Sequence, residues 1–265
     1  MSERAAIAEL AERMARAAGA IQRERYETDF AVRSKSAAID LVTEVDVACE
    51  RLLVETLHEE RPDDAILAEE GSGDDREGAT WRWVIDPLDG TMNFAHGYPR
   101  FCVSIGVQHL RETKVAAVYD PLLDELFAAQ LARGASRNGR PIRVSDQKEL
   151  GRALLSTGFA YDVHESEDDN LASFARFAKL AQGLRRDGSA ALDLCYVACG
   201  RFDAFWERKL HPWDVCAGNL IVSEAGGRNS DFSGGPAVGD GRETLASNGH
   251  LHPRMLEVLG EALAG

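Results

Sequence analysis

The chain has 265 residues, 45% of them hydrophobic and 28% charged, enough for one large domain or two closely packed halves. Its net charge of −14 argues against nucleic acid as a partner, because polyanion binders carry basic stripes. Five cysteines without a Cys-x-x-Cys pair, a start (Met-Ser-Glu-Arg-Ala-Ala) lacking the basic end and apolar core of a signal peptide, and no run of membrane-spanning length lead us to expect a cytoplasmic protein without a membrane partner.

In chain order, residues 3–25 read as an amphipathic helix with Ile7, Leu10, Met14, Ala17, Ala18 and Ile21 on its apolar face. Lys35 follows in a polar stretch that suggests a loop. Thr43-x-x-Asp46 then has the form of a helix cap, ahead of a helix marked by Cys49, Leu52, Leu53, Thr56 and Leu57. Ala65–Ala68 is a short strand running into Glu69-Glu70, of which at most one can face a given site.

The stretch from Trp81 to Gly97 organises the rest. Trp81–Ile85 is an apolar, aromatic and β-branched run expected to be a buried strand, ended at Asp86 by Pro87. Asp89-Gly90-Thr91 follows as a tight turn in which glycine is free to take a positive φ. Two carboxylates three residues apart at the mouth of a strand repel unless a cation neutralises them. Hard oxygen ligands of that kind suit Mg²⁺, and the amides of Gly90 and Thr91 offer an anion cradle. An ordinary Asx turn closing a strand is the alternative.

Strands are expected at Cys102–Gln108, Lys114–Tyr119 and Glu125–Gln130, with a turn at Arg111-Glu112-Thr113 and a hairpin at Asn138-Gly139. A seam near residue 145 divides the chain into an α+β half (1–145) and an α/β half (146–265). In the second half, Ala153–Gly158 reads as a strand, and Leu171, Phe174, Phe177, Ala178 and Ala181 mark a helix. Gly188-Ser189-Ala190 opens another, either as a plain N-cap or as an anion-friendly terminus. Phe202–Trp206 is a strand delivering Glu207, and Pro212 starts a helix with Asp214 in its first turn, ended by Gly226-Gly227. A glycine-rich loop (Ser233–Gly241), a strand at Thr244–Ser247 and a helix at Arg254–Ala264 close the chain. His96, His109 and His164 lack metal-ligand spacing, and Cys195 and Cys199 read as core residues.

Each motif alone has a bland reading, but their order and spacing do not. Asp40-Leu-Val-Thr-Glu-Val-Asp46, Glu69-Glu70-Gly-Ser, Trp83 through Asp86-Pro-Leu-Asp-Gly-Thr-Met-Asn-Phe94, Gly188-Ser-Ala-Ala and Trp213-Asp-Val-Cys-Ala-Gly with Glu224-Ala-Gly-Gly227 together resemble the inositol monophosphatase family of Mg²⁺-dependent, lithium-sensitive phosphatases. The resemblance implies a mixed α/β (α+β) fold, the five-layered α-β-α-β-α sandwich of the inositol monophosphatase and fructose-1,6-bisphosphatase type, in a homodimer. It also implies that Glu69, Asp86, Asp89, Asp214 and the carbonyl of Leu88 ligate two or three Mg²⁺. Asp46, Thr91 and Glu69 would be the catalytic residues, with Thr91, hydrogen-bonded to Asp46, helping to activate the attacking water. Gly90 and Thr91 would hold phosphate, while Gly188, Ser189, Ala190, Glu207 and Asp214 would line the alcohol pocket. Lys35 lies where the family has a mobile loop. The expected reaction is hydrolysis of a small phosphate monoester, inositol 1-phosphate first. Histidinol phosphate is the runner-up; a bisphosphate or nucleotide substrate, or a non-catalytic regulator, stands further back.

Overall fold

The protein is described here by a computed structural model covering residues 2–35, 37, 39–237 and 239–263. Two long helices open the chain around a short ribbon. Helix α1 (Glu3–Arg25) is followed by strands β1 (Val32–Ser34) and β2 (Leu41–Thr43), which pair antiparallel, and then by α2 (Glu44–Glu60). The first sheet holds β3 (Ala65–Ala68), β4 (Trp81–Asp89), β5 (Cys102–His109), β6 (Glu112–Asp120), β7 (Glu125–Gln130), β8 (Ala135–Arg137) and β9 (Arg140–Pro141) in sequential order, with the five-residue helix α3 (Thr91–Ala95) between β4 and β5. Only β3 and β4 run parallel; the rest form a meander.

The second sheet is wound differently. It comprises β10 (Leu154–Thr157), β11 (Gly183–Arg185), β12 (Ala204–Arg208), β13 (Arg228–Ser230) and β14 (Glu243–Ser247), in the order β11-β10-β12-β14-β13. Helices α4 (Leu171–Leu180), α5 (Ala190–Ala198), α6 (Pro212–Glu224) and α7 (His252–Leu263) connect and cover it.

The period-2 pattern of the first sheet explains the layering. Ile105, Val107, Val115 and Ala117 point to one face and join Ile7, Met14, Leu53 and Leu57 of α1 and α2. Ala116, Val118 and Phe127 point to the other and join Leu194, Val197, Ala217 and Ile221 of α5 and α6. The second sheet lies beyond that helix pair, and its far face packs Leu155, Trp206 and Leu245 against Phe177 of α4 and Met255 and Leu259 of α7. The result is the α-β-α-β-α sandwich. Among the described residues no helix is long and apolar enough to cross a membrane.

Several expectations shift in detail. The apolar face of α1 includes Ala11, Ala15 and Gln22, whereas Ala17 is exposed and Ile21 half-buried. In α4 the buried residues are Ser173 and Phe177, while Leu171 and Ala178 face solvent. The β5–β6 turn is Leu110-Arg111, both at positive φ (50° and 68°), so Glu112 already belongs to a strand. Asn138-Gly139 does form the tight hairpin turn, at φ 49° and 72°. The strand expected from Phe202 begins at Ala204, and the closing helix begins at His252; its expected end at Ala264 lies outside the described residues, as does Val238 of the glycine-rich loop.

The most consequential difference is that β4 does not stop at Asp86 but continues to Asp89 across a register shift between Asp86 and Asp89. Pro87 has no N–H for the ladder, so the shift takes up that loss. Buried Gln22 donates from Nε2 to the Pro87 carbonyl at 2.7 Å, and the Leu88 N–H donates to Asp86 Oδ1 at 2.9 Å. The bulge re-aims Asp86, Leu88 and Asp89 at the end of the sheet.

At the far side, fully buried His252 lies between Ser247 Oγ (2.8 Å from Nδ1) and Ser230 Oγ (2.9 Å from Nε2), and burial pulls its pKa down to about 4. An unfolded chain takes up a proton here near pH 6.5, which the folded protein refuses until about pH 4. This contribution to stability is therefore lost as pH falls through that window. His252→Gln is expected to remove it, so wild type minus variant, from denaturant midpoints between pH 7 and 4, should fall with pH. A pH-independent difference would contradict this; taking the difference cancels the opposite trend of buried carboxylates.

Candidate active site

Five separate segments converge where the two sheets meet the α5–α6 layer. Glu69 leaves the C-terminal end of β3, and its turn is pinned from behind by buried Glu50 of α2, which accepts from the Glu70 N–H (2.7 Å) and the Ser72 N–H (2.8 Å). The β4 bulge supplies Asp86, Leu88 and Asp89. Gly90 (φ 96°) then turns the chain into α3 and brings Thr91; a Cβ at Gly90 would stand 2.8 Å from the Arg100 carbonyl, so no other residue fits the turn. The N-terminus of α5 contributes Gly188, Ser189 and Ala190, the end of β12 contributes Glu207, and the first turn of α6 contributes Asp214. All of these line one cavity.

Asp46 and Lys35, also expected at the site, stand just outside that lining. Asp46 is fully buried behind Thr91, whose Oγ1 donates to Asp46 Oδ1 at 2.8 Å and also lies 3.0 Å from the Leu88 carbonyl. The other Asp46 oxygen accepts from the Thr43 N–H (2.9 Å) and Thr43 Oγ1 (2.5 Å), so the residue closes the capping box of α2 and reaches Thr91 at the same time. Lys35 reaches the rim, pairing through Nζ with Glu69 Oε1 at 2.8 Å and with Glu70 Oε1, and lines an adjoining cavity that shares Glu69. Of the two adjacent glutamates, Glu69 lines the main cavity and Glu70 does not.

The electrostatics of the cluster are those of crowded, desolvated carboxylates. Burial, then Glu69, Asp89 and Asp214, holds the Asp86 carboxyl well above its ordinary range. Asp214 is raised by burial, Asp89 and Glu69, although its Oδ2 accepts from the His211 N–H at 2.6 Å. Asp89 is pushed up to about 6, again by burial first, against the lowering effect of Ser189 Oγ (2.7 Å) and the Ala191 N–H (2.8 Å) on its Oδ2. Burial also lifts Asp46 to about 6 and Glu207 well above its usual value, the latter with Asp193 and Asp214 adding to the effect.

Among the described residues no three acidic, histidine or cysteine side chains close into a ready metal cage. The donor set nevertheless fits a hard divalent cation: Glu69, Asp86, Asp89 and Asp214 present carboxylate oxygens to one cavity, and burial with neighbouring acids disfavours the anionic form of Asp86, Asp89 and Asp214.

The matching family pattern, that of the inositol monophosphatase family, spans residues 3–264. The chain belongs to that family. It is 46% identical over 228 residues to an inositol-1-monophosphatase from Synechocystis sp., covering 86% of this chain and 79% of that protein. It is 47% identical over 233 residues to a Pseudomonas aeruginosa protein named Nus factor SuhB, covering 85% of each. The structure of an inositol monophosphatase from Anabaena (Nostoc) sp. superposes with a TM-score of 0.89 at 42% identity, over 98% of this chain and 97% of that one. Membership supports phosphatase chemistry of the Mg²⁺-dependent kind that this family performs on small phosphate monoesters.

The sequence reading missed Tyr161 and Lys209, which also line the cavity. Tyr161 lies in the loop just beyond β10, and a strand-end loop is the signal that would have flagged it. Asp193 of α5 is buried and also lines the cavity.

Proposed function

We propose that this protein hydrolyses the phosphate monoester of a small alcohol, inositol 1-phosphate first, using Mg²⁺. The observation that carries this reading is the convergence of Glu69, Asp86, Asp89 and Asp214 on one cavity beside the buried Asp46–Thr91 pair. Those four carboxylates, with the Leu88 carbonyl, are the groups that would hold two or three ions. Bound Mg²⁺ supplies charge neutralisation on the phosphoryl oxygens and makes a bound water easier to deprotonate.

The rest is done by the chain itself. Thr91 donates its hydroxyl proton to Asp46, leaving a lone pair on Oγ1 to accept from the attacking water. Asp46, poised near 6, is the proton's destination along that path. The N–H groups of Gly90 and Thr91 hold phosphate. Gly188, Ser189 and Ala190 shape the alcohol pocket, where Glu207 accepts hydrogen bonds from hydroxyls and Asp214 reaches both substrate and metal. Lys35 sits on the loop at the rim and offsets the charge of Glu69 and Glu70. In this reading residues 1–145 bring most metal ligands and 146–265 bring Asp214 and the pocket, in a homodimeric cytoplasmic enzyme sensitive to lithium.

A second reading is favoured by the relatives named Nus factor SuhB: a protein whose role is binding rather than turnover. Phosphate release from inositol 1-phosphate, histidinol phosphate, fructose 1,6-bisphosphate and adenosine 3′,5′-bisphosphate, with and without lithium, separates these possibilities. Preference for inositol 1-phosphate with lithium inhibition is the expected result. Preference for histidinol phosphate would reassign the substrate, with Glu207 pairing an ammonium rather than hydroxyls. Silence on all four would favour the binding role.

A further inference from the structure

Asp89 is shaped from across the molecule. Besides the Cys102 thiol (3.8 Å), two hydrogen bonds reach its Oδ2 from the start of α5, about a hundred residues downstream in sequence, through Ser189 Oγ and the Ala191 N–H. The segment leading into α5 is irregular, with Gly188 at φ 76°, and has to be fixed by something outside itself. Asn93, in the short helix that follows the Asp-Gly-Thr turn, does this. Its Nδ2 donates to the Asp187 carbonyl at 2.7 Å, with the Gly188 carbonyl at 3.3 Å, and to the Arg100 carbonyl at 2.7 Å. One carboxamide thus spends its donors on the first half of the chain and on the segment carrying Ser189. The fit is close: a Cβ at Gly188 would lie 3.2 Å from the Asn93 amide. Arg100 reinforces the bracket, with Nε 3.7 Å from Asp187, Nη2 3.4 Å from Asp193 and its guanidinium 3.9 Å from the Tyr196 ring centroid.

We infer that Asn93 is a positioning residue for the metal-binding carboxylate Asp89, acting through the Asp187–Ser189 segment. Asn93 itself touches none of the metal-binding carboxylates and does not line the cavity, meeting it only from behind at the Gly188 backbone; it sets where Ser189 Oγ stands and so which way Asp89 Oδ2 points. The inference rests on the phosphatase reading for its effect on turnover, but the effect on cation binding stands separately.

The test is a double-mutant cycle of Asn93→Ala and Ser189→Ala, read by calorimetric titration with Mg²⁺ alone and by kcat and KM for inositol 1-phosphate. Each single variant is expected to weaken Mg²⁺ binding and lower kcat by about 10- to 100-fold, the usual cost of losing an outer-shell partner, with a smaller change in KM. The double variant is expected to lose no more than the worse single one, because both act on the same carboxylate. Losses that multiply, or a folded Asn93→Ala protein with unchanged Mg²⁺ affinity, would overturn the inference. Should Asn93→Ala fail to fold, Asn93→Ser, which keeps a shorter donor, enters the same cycle with the same criteria. A wild type that binds Mg²⁺ but releases no phosphate defeats the phosphatase reading while the calorimetric cycle still decides the role of Asn93. A wild type that binds no Mg²⁺ overturns both.

Discussion

Asp89→Asn is expected to lower turnover by about 10³-fold or more, equivalent to about 4 kcal/mol of transition-state stabilisation, while leaving the fold intact. Asp89 contributes a full negative charge to a cluster whose purpose, in this account, is to hold cations against a phosphoryl group. Asparagine keeps the shape and one acceptor oxygen. Since Ser189 Oγ, the Ala191 N–H and the Cys102 thiol all donate to a single oxygen, Oδ2, the amide oxygen can keep these bonds. No buried donor is orphaned, and one of four mutually repelling carboxylates is removed. The metal-free variant should therefore unfold at the same temperature as wild type or above it. Turnover and thermal unfolding measured side by side check both halves, and a variant that keeps Mg²⁺-dependent activity would sink the ligand assignment.

Thr91→Ala is expected to reduce kcat by about 10²- to 10³-fold, in the range seen when a group that orients the reacting proton is deleted, with Mg²⁺ affinity retained. The residue sits between Asp46 and the cavity, so its loss breaks the only relay drawn between them. Thr91→Ser, which keeps the hydroxyl, should recover most of the activity. The pH profile gives a second handle. Wild-type kcat should fall as pH drops through about 6, where Asp46 takes up a proton and stops accepting from Thr91. With the relay broken, the part of the acid limb that Asp46 sets should disappear from the residual activity of Thr91→Ala. Equal activity of the alanine and serine variants would rule the relay out.

What the sequence disclosed and what it hid divide along physical lines. Local patterns were legible: the helix at Glu3–Arg25, the strand at Ala65–Ala68, the Asn138-Gly139 hairpin and the Pro212 helix start all follow from periodicity, capping or turn chemistry. The candidate site residues were legible as a group because they cluster in short motifs, and the structure brings every expected pocket-lining residue to one cavity. The continuation of β4 through Pro87 was not, because the donor that supports it, Gln22, lies 65 residues upstream on another element. The Leu110-Arg111 turn lacks the Gly or Asn that announces a positive φ. The short edge strands Gly183–Arg185 and Arg228–Ser230 carry too few residues for an alternation to register. The bracket formed by Asn93 and Arg100 joins residues more than ninety positions apart, which no single-sequence pattern encodes. Long-range polar contacts of this kind are where function was least visible.

The measurement that bears most directly on the account is phosphate release from inositol 1-phosphate by the wild-type protein, titrated with Mg²⁺ from a chelator-treated starting point. The account predicts negligible release without the ion and saturable, Mg²⁺-dependent release with it. Release that is indifferent to Mg²⁺, or a folded protein that binds Mg²⁺ at Glu69, Asp86, Asp89 and Asp214 yet never turns over, would contradict it.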